Sequence, residues 1–134
     1  MRNINKIIIH CAATPEGRDV KIATIRDWHK LKGWSDIGYH YVIELDGSIQ
    51  SGRPIEIIGA HTIGQNKGSI GICYVGGMNA NMEEPKDTRT PAQKESLIKL
   101  INKLKAKYSN ITIHGHNEYA AKACPSFNVK LENY

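Results

Sequence analysis

Close to its amino terminus the chain runs Ile4-Asn5-Lys6-Ile7-Ile8-Ile9-His10. The β-branched residues in this run favour a buried strand. A turn-rich segment follows at once, Cys11-Ala12-Ala13-Thr14-Pro15-Glu16-Gly17, and would end that strand. His10 is therefore predicted to lie at the end of a rigid strand.

Further strands are predicted from runs of β-branched and aromatic residues. They cover residues 38–45, 48–51, 69–75 and 111–114. The first two are joined by Asp46-Gly47, a dipeptide typical of tight hairpin turns. Residues 78–89 are polar and include Pro85, so we predict a surface loop there.

The first predicted helix covers residues 22–32. Asp19 is a candidate N-cap, and Gly33 is a natural stop after the last turn. Apolar residues at near-helical spacing define its expected buried face: Ile22, Ile25, Trp28 and Leu31.

The second predicted helix begins with a capping box, Thr90-Pro91-Ala92-Gln93, which has proline at the first helical position. Asn110 would end it. Its expected apolar face consists of Leu97, Ile101, Leu104 and Tyr108, widened by Ile98 and Leu100. The order strand, helix, several strands, helix, strand predicts one mixed α/β domain over residues 1–134, with a central sheet flanked by helices.

The composition is that of an ordinary globular protein of one domain, with 134 residues, 40% hydrophobic and 23% charged. Neither a membrane span nor a signal peptide is predicted, so we expect synthesis in a cytoplasm. The formal net charge of +5 would suit an acidic cell wall, an anionic membrane or nucleic acid. Because the basic residues are scattered and aromatics make up only 7%, nucleic acid is not expected as the primary ligand.

Reactive side chains are concentrated near the carboxyl terminus, in His114-Gly115-His116-Asn117-Glu118-Tyr119-Ala120-Ala121-Lys122-Ala123-Cys124-Pro125. A histidine and a cysteine eight residues apart are weak evidence for a metal, because they lack the paired spacing of a zinc finger. A buried cysteine beside two surface histidines would explain the segment equally well. Catalytic zinc sites take three protein ligands and leave one position to water, and His10 can supply the third ligand.

A set of short motifs extends from residue 4 to about residue 130. They are Ile9-His10-Cys11-Ala12-Ala13-Thr14, Trp28-His29, Gly38-Tyr39-His40-Tyr41, Gly59-Ala60-His61 with Asn66, Ser69-Ile70-Gly71-Ile72, His116, and Lys122-Ala123-Cys124-Pro125. In this order they closely resemble the N-acetylmuramoyl-L-alanine amidase family, which includes amidase-type phage lysozymes and peptidoglycan recognition proteins. The resemblance implies an α/β fold with a mixed sheet flanked by helices, and a zinc ion (Zn2+) in a groove on one face.

The resemblance also assigns the metal ligands and their catalytic neighbours. His10, His116 and Cys124 would bind zinc, while Tyr39 and Lys122 would be catalytic. A lysine two residues before a ligand can stabilise the oxyanion formed when water attacks an amide, and a tyrosine can orient that water. Some relatives have a glutamate where this chain has Tyr39, so the general base stays open.

The resemblance places His61 at the substrate groove, and Arg53 and Asn66 are further candidates for contact with substrate. The other histidines and cysteines are predicted to have structural roles. They are His29 in the first helix, His40 facing away from Tyr39 on its strand, Cys11 facing away from His10, and Cys73 in the core. His114 could be mistaken for a ligand, but the resemblance favours His116.

The implied activity is zinc-dependent hydrolysis of the amide bond between N-acetylmuramic acid and L-alanine in peptidoglycan. We expect a monomer that reaches the wall after lysis or non-standard release, although a cytoplasmic wall-recycling enzyme would also fit the sequence. Two alternatives stay open. Some family members bind peptidoglycan without cutting it and typically lack the ligand cysteine, whereas this chain has Cys124. A cysteine hydrolase would instead use Cys124 as nucleophile, with His116 or His10 as base.

Overall fold

The isoleucine-rich run near the amino terminus forms strand β1, Lys6–Cys11, in a computed structural model that describes residues 2–134. Ile7, Ile8 and Ile9 are all fully buried. Consecutive buried residues are expected in a strand that is covered on both faces, because neighbouring side chains point to opposite sides of the sheet. The position of β1 in the middle of the molecule therefore follows from its sequence.

The chain alternates strands and helices in the order that its sequence predicts. After β1 come β2 (Thr14–Pro15), α1 (Ile22–Leu31), β3 (Tyr41–Ile43), β4 (Ile49–Ser51), β5 (Ser69–Tyr74), β6 (Gly77–Met78), α2 (Pro91–Lys107) and β7 (Thr112–Gly115). Short 3-10 turns cover Asn66–Gly68, His116–Glu118 and Val129–Leu131.

The main sheet is mixed, as predicted, and has the strand order β4-β3-β5-β1-β7. Strand β1 pairs in parallel with β5 and β7, β3 pairs in parallel with β5, and β4 is antiparallel to β3. A separate small sheet joins β2 to β6. The carboxyl ends of β1, β5 and β7 therefore meet at one edge of the main sheet.

Helix α2 confirms the predicted capping box. The Thr90 hydroxyl accepts from the Gln93 N–H at 3.1 Å, and the Gln93 side chain accepts from the Thr90 N–H at 2.9 Å. The predicted apolar face is buried at Leu97, Leu100, Ile101 and Leu104, but Ile98 is 50% exposed. The prediction for Ile98 was wrong because the buried stripe of the helix is narrower than the apolar pattern.

Helix α1 begins at the predicted residue, but its cap and its buried face differ from the prediction. Asp19 is not the N-cap; the carboxylate of Glu44 accepts the Ile22 N–H at 2.9 Å instead. Leu31 is 86% exposed, whereas His29, next to Trp28 in sequence, is buried. The covered face is therefore rotated relative to the one that the apolar spacing predicts.

The predicted surface loop 78–89 is exposed in the middle and buried at its end. The Arg89 side chain forms ion pairs with Asp87 and Glu132, each at 2.8 Å, and its guanidinium lies 3.5 Å from the ring centre of Phe127. This end of the loop was wrongly predicted as surface, because ion pairing permits the burial of an arginine that polarity alone places in solvent.

Both faces of the sheet are covered by apolar side chains. On one face Ile7, Ile9 and Ile72 pack in the same cluster as the buried residues of α2. On the other, Ile25 of α1 packs with Val42 and Cys73. No helix within residues 2–134 has the length and apolar character needed to cross a membrane.

Candidate metal centre and groove

Three potential metal ligands meet at the carboxyl edge of the sheet. His10 lies near the end of β1, His116 directly follows β7, and Cys124 lies on the loop beyond it. One potential ligand atom from each lies within 4.8 Å of the other two. The two histidines come together because β1 and β7 are parallel neighbours whose ends meet at this edge.

The donor set fits zinc. Tetrahedral zinc with bonds of about 2.0–2.1 Å to nitrogen and 2.3 Å to sulfur holds neighbouring ligand atoms roughly 3.3–3.6 Å apart. His10 Nδ1 and Cys124 Sγ already lie 3.9 Å apart, so small side-chain rotations suffice to bring the set to bonding distance. Three protein ligands leave one coordination position open, which is the pattern of catalytic zinc rather than structural zinc.

His10 is almost fully buried and its two ring nitrogens have different neighbours. Nδ1 faces Cys124, while Nε2 lies 2.8 Å from His61 Nδ1 and 3.2 Å from Thr62 Oγ1. Burial, and then the positive charge that nearby histidines and Lys122 would carry, hold the pKa of His10 well below its usual value. The ring is therefore neutral at pH 7, which is the form that binds metal.

Cys124 is held in place by its loop. Its Sγ accepts a hydrogen bond from the Cys11 N–H at 3.2 Å. The loop is anchored next to it, where the Tyr74 hydroxyl donates to the Pro125 carbonyl at 2.6 Å and the Ser126 hydroxyl donates to the Gly77 carbonyl at 2.8 Å. Contact with the Cys11 thiol, followed by burial, raises the pKa of the Cys124 thiol.

Tyr39 and Lys122 both line an open groove that also includes the ligand His116, with a cavity of about 420 Å³. The Tyr39 ring lies 5.1 Å from the His10 ring, and burial raises the pKa of its phenol well above the usual value. Tyr39 is thus a hydrogen-bond donor at neutral pH. Lys122 is exposed. Burial of His116, and then the positive charge of Lys122, lower the pKa of His116.

Two of the three predicted groove residues lie at this groove. His61 lines it, and its Nε2 lies 3.3 Å from the Ser69 hydroxyl. Burial lowers the pKa of His61 to about 3. Asn66 also lines the groove, but its Oδ1 accepts from the N–H groups of His61 and Thr62 at 3.0 and 2.8 Å.

Arg53 lies away from the groove lining. Its guanidinium donates to the backbone carbonyls of Ile37 and Ile58, both at 2.9 Å, and of Asp36 at 3.2 Å. These bonds join the segment before β3 to the loop after β4. A substrate contact by Arg53 stays a prediction, and the observed contacts give it a structural role.

The sequence and the fold agree with known proteins. A family model described as N-acetylmuramoyl-L-alanine amidase matches residues 1–127. The chain belongs to this amidase family. Among its relatives, the endolysin of Escherichia phage T7 is 44% identical, over 92% of this chain and 82% of that protein. The endolysin of Klebsiella phage KP32 is 42% identical, over 94% of this chain and 83% of that protein.

Solved amidase structures have the same fold as this chain. The amidase LysC from Clostridium intestinale URNW superposes with a TM-score of 0.82 at 34% identity, covering 98% of this chain and 83% of that one. Bumblebee PGRP-SA gives 0.82 at 29% identity, covering 100% and 83%. The predicted fold class, a mixed sheet flanked by helices and similar to amidases and peptidoglycan recognition proteins, is confirmed.

The remaining histidines of the amidase chain have structural partners. His29 packs on Trp34, with ring centres 4.6 Å apart, and its Nδ1 accepts the Gly38 N–H at 2.9 Å. Buried His40 accepts the Gly71 N–H through Nδ1 at 3.0 Å. His114 lies outside the ligand group, with Nδ1 2.9 Å from Glu118. These contacts agree with the structural roles predicted for His29 and His40, which stay predictions.

Sequence reasoning missed several residues of the amidase groove. Trp34 and the 98% exposed Ile63 line it, and Thr62 contacts His10. A tryptophan directly after Gly33, the predicted stop of the first helix, is a signal that could have been noticed, because it lies outside the apolar face of that helix. Thr62 gave no such signal, since its contact depends on how the loop before β5 folds over the sheet.

Proposed function

We propose that this protein is a zinc-dependent amidase that hydrolyses the bond between N-acetylmuramic acid and the L-alanine of the peptidoglycan stem peptide. The observation that carries the proposal is the group formed by His10, His116 and Cys124, of which His116 lines an open groove. Membership of the amidase family, and relatives that are phage endolysins, support peptidoglycan as the substrate.

The ligands define what a bound metal would contribute. Zinc held by His10, His116 and Cys124 would supply Lewis acidity, which activates water near neutral pH and polarises the scissile carbonyl. Two features of the chain favour metal binding. Burial lowers the pKa of His10 and keeps its ring neutral, and a backbone N–H holds the Cys124 sulfur in place. Both ligands are buried or half-buried in rigid surroundings, so little reorganisation accompanies binding.

Lys122 and Tyr39 would act on the reacting amide. The exposed side chain of Lys122 can reach the oxyanion that develops on the carbonyl oxygen, and its positive charge stabilises it. The Tyr39 hydroxyl, which stays protonated because burial raises its pKa, donates a hydrogen bond to the same centre. Within residues 2–134 the groove lining contains no carboxylate, so a glutamate general base of the kind that some relatives use has no counterpart there.

The two alternatives are less well supported. A cysteine nucleophile is activated by a lowered pKa, but contact with Cys11 and burial raise the pKa of Cys124. A module that only binds peptidoglycan would not need three gathered ligands, yet all three are present together with Tyr39 and Lys122.

The setting that we propose is that of an endolysin. The phage endolysins among the relatives support synthesis in a host cytoplasm and action on the wall after release. The net charge of +5 complements an anionic wall and favours encounter with it. We further propose that the enzyme acts as a monomer.

Product analysis tests the proposed bond. Purified peptidoglycan is incubated with the protein, with and without a metal chelator, and the new chain ends are identified. We expect new L-alanine amino groups, intact glycan strands and loss of activity with the chelator. The variant His114→Asn, which alters a histidine outside the ligand group, should retain the activity. New reducing sugar ends would contradict the proposal.

A further inference from the structure

The ring of His61 lies between the metal ligand His10 and Ser69, the first residue of β5. His61 Nδ1 is 2.8 Å from His10 Nε2, and His61 Nε2 is 3.3 Å from the Ser69 hydroxyl. The rings of His10 and His61 are nearly perpendicular, at 87°. We infer that His61 is a positioning residue, which orients His10 for metal binding, and that it does not bind substrate through its ring nitrogens.

The contacts of His10 determine where each proton lies. This step rests on the proposed function, in which His10 Nδ1, the nitrogen facing Cys124, binds the metal and carries no proton. The proton of the neutral His10 ring is then on Nε2, which donates to His61 Nδ1. His61 must carry its own proton on Nε2, where it donates to the Ser69 hydroxyl. The metal thus fixes the direction of the whole chain of hydrogen bonds.

Both ring nitrogens of His61 are therefore occupied inside the protein. A hydrogen bond from either nitrogen to substrate would break its contact with His10 or with Ser69, and Ser69 is fully buried. Neither ring nitrogen is then free to bind substrate. This assignment differs from the substrate contact that the family resemblance implies for His61.

The surroundings of the ring fix its orientation. A Cβ atom placed on Gly71 would lie 2.6–2.9 Å from three atoms of the His61 ring, so the glycine allows the ring to lie directly on the β5 backbone. Asn66 holds the backbone N–H of His61 at 3.0 Å. Thr62 is also buried, and its hydroxyl oxygen lies 3.2 Å from His10 Nε2, where it accepts a second, longer hydrogen bond from the same N–H.

Such an outer contact has a measurable effect on the metal. A histidine ligand ordinarily donates its second N–H to a fixed acceptor, and loss of that acceptor weakens metal affinity about 10–100-fold. In most proteins the acceptor is a carboxylate, a carbonyl or water. Here a neutral imidazole, at the shorter distance, shares that place with the Thr62 hydroxyl, and a serine hydroxyl backs the imidazole.

The test measures zinc affinity and substrate affinity separately. Zinc dissociation constants are obtained by competition with a chromogenic chelator, and binding of the zinc-loaded protein to insoluble peptidoglycan is measured by sedimentation. We expect His61→Ala to bind zinc about 10–100-fold more weakly than the wild type. His61→Asn, whose amide oxygen can replace Nδ1 as acceptor, should recover part of the loss. His114→Asn serves as the matched control and should bind zinc normally.

The outcomes separate this inference from the proposed function. Unchanged zinc affinity in His61→Ala, with weaker binding to peptidoglycan, would overturn the inference and restore a substrate contact. If His61→Ala does not fold, the variants His61→Asn and Ser69→Ala test the inference instead. Unchanged zinc affinity in Ser69→Ala, together with full zinc affinity but reduced peptidoglycan binding in His61→Asn, would overturn the inference. A wild-type protein that binds no zinc would overturn the proposed function itself, and the inference with it.

Discussion

At the scale of single residues, Lys122 and Cys124 show how one short segment serves two purposes. Cys124 is half-buried and held by a backbone N–H, whereas Lys122, two residues earlier, is exposed at the groove. A fixed ligand and an exposed charge are thus placed close together in the chain. The family motif predicted both residues, but spacing alone left His116 and Cys124 open to a structural interpretation, because a metal site depends on the distant His10.

Replacement of Lys122 tests its proposed role. Lys122→Ala should lower kcat by about 10²–10³, the usual effect of removing one donor to an oxyanion, while zinc content stays unchanged. Lys99→Ala, on the exposed side of α2, is the matched control and should leave kcat at the wild-type value. Steady-state kinetics on soluble muropeptides give the comparison. A kcat within a few-fold of the wild type in Lys122→Ala would remove this lysine from the mechanism.

At the scale of elements, the sequence predicted features that depend on neighbouring residues, but it did not predict contacts between elements that are distant in the chain. The capping box of α2 and the hairpin between β3 and β4 depend on neighbouring residues, so the sequence was enough to predict them. The cap of α1 comes from Glu44, which is distant in sequence, and no local pattern could indicate it. For the same reason the contact of His61 with Ser69 was not foreseen.

The loop that carries Cys124 offers a test at this scale. Tyr74→Phe removes the hydroxyl that donates to the buried carbonyl of Pro125, and should lower the free energy of unfolding by about 1–3 kcal/mol. Tyr108→Phe is the control, since Tyr108 is only half-buried at the end of α2, and should change stability by less than about 0.5 kcal/mol. Urea denaturation measures both variants. Equal stability of Tyr74→Phe and the wild type would show that this bond does not anchor the loop.

At the scale of the whole molecule, the site exists only in the folded chain. His10 and Cys124 are separated by 114 positions in the sequence. Parallel pairing of β1 with β7 brings the carboxyl ends of these two strands to one edge of the sheet, and with them the residues that follow. The strand and helix pattern predicted a mixed sheet, but it did not predict the strand order, which decides which loops meet. The family resemblance supplied that information for the ligands, and it could not supply the contacts that are particular to this chain.

The zinc content of the purified protein is the decisive test of a zinc-dependent amidase built on His10, His116 and Cys124. Elemental analysis should find about one zinc per chain in the wild type, and about one in the control His114→Asn, as expected for a single site with three protein ligands. Cys124→Ala should lose zinc and amidase activity together. A wild-type protein that is fully active without zinc and insensitive to chelator would rule out a zinc-dependent mechanism, and a Cys124→Ala variant that retains stoichiometric zinc would rule out Cys124 as a ligand.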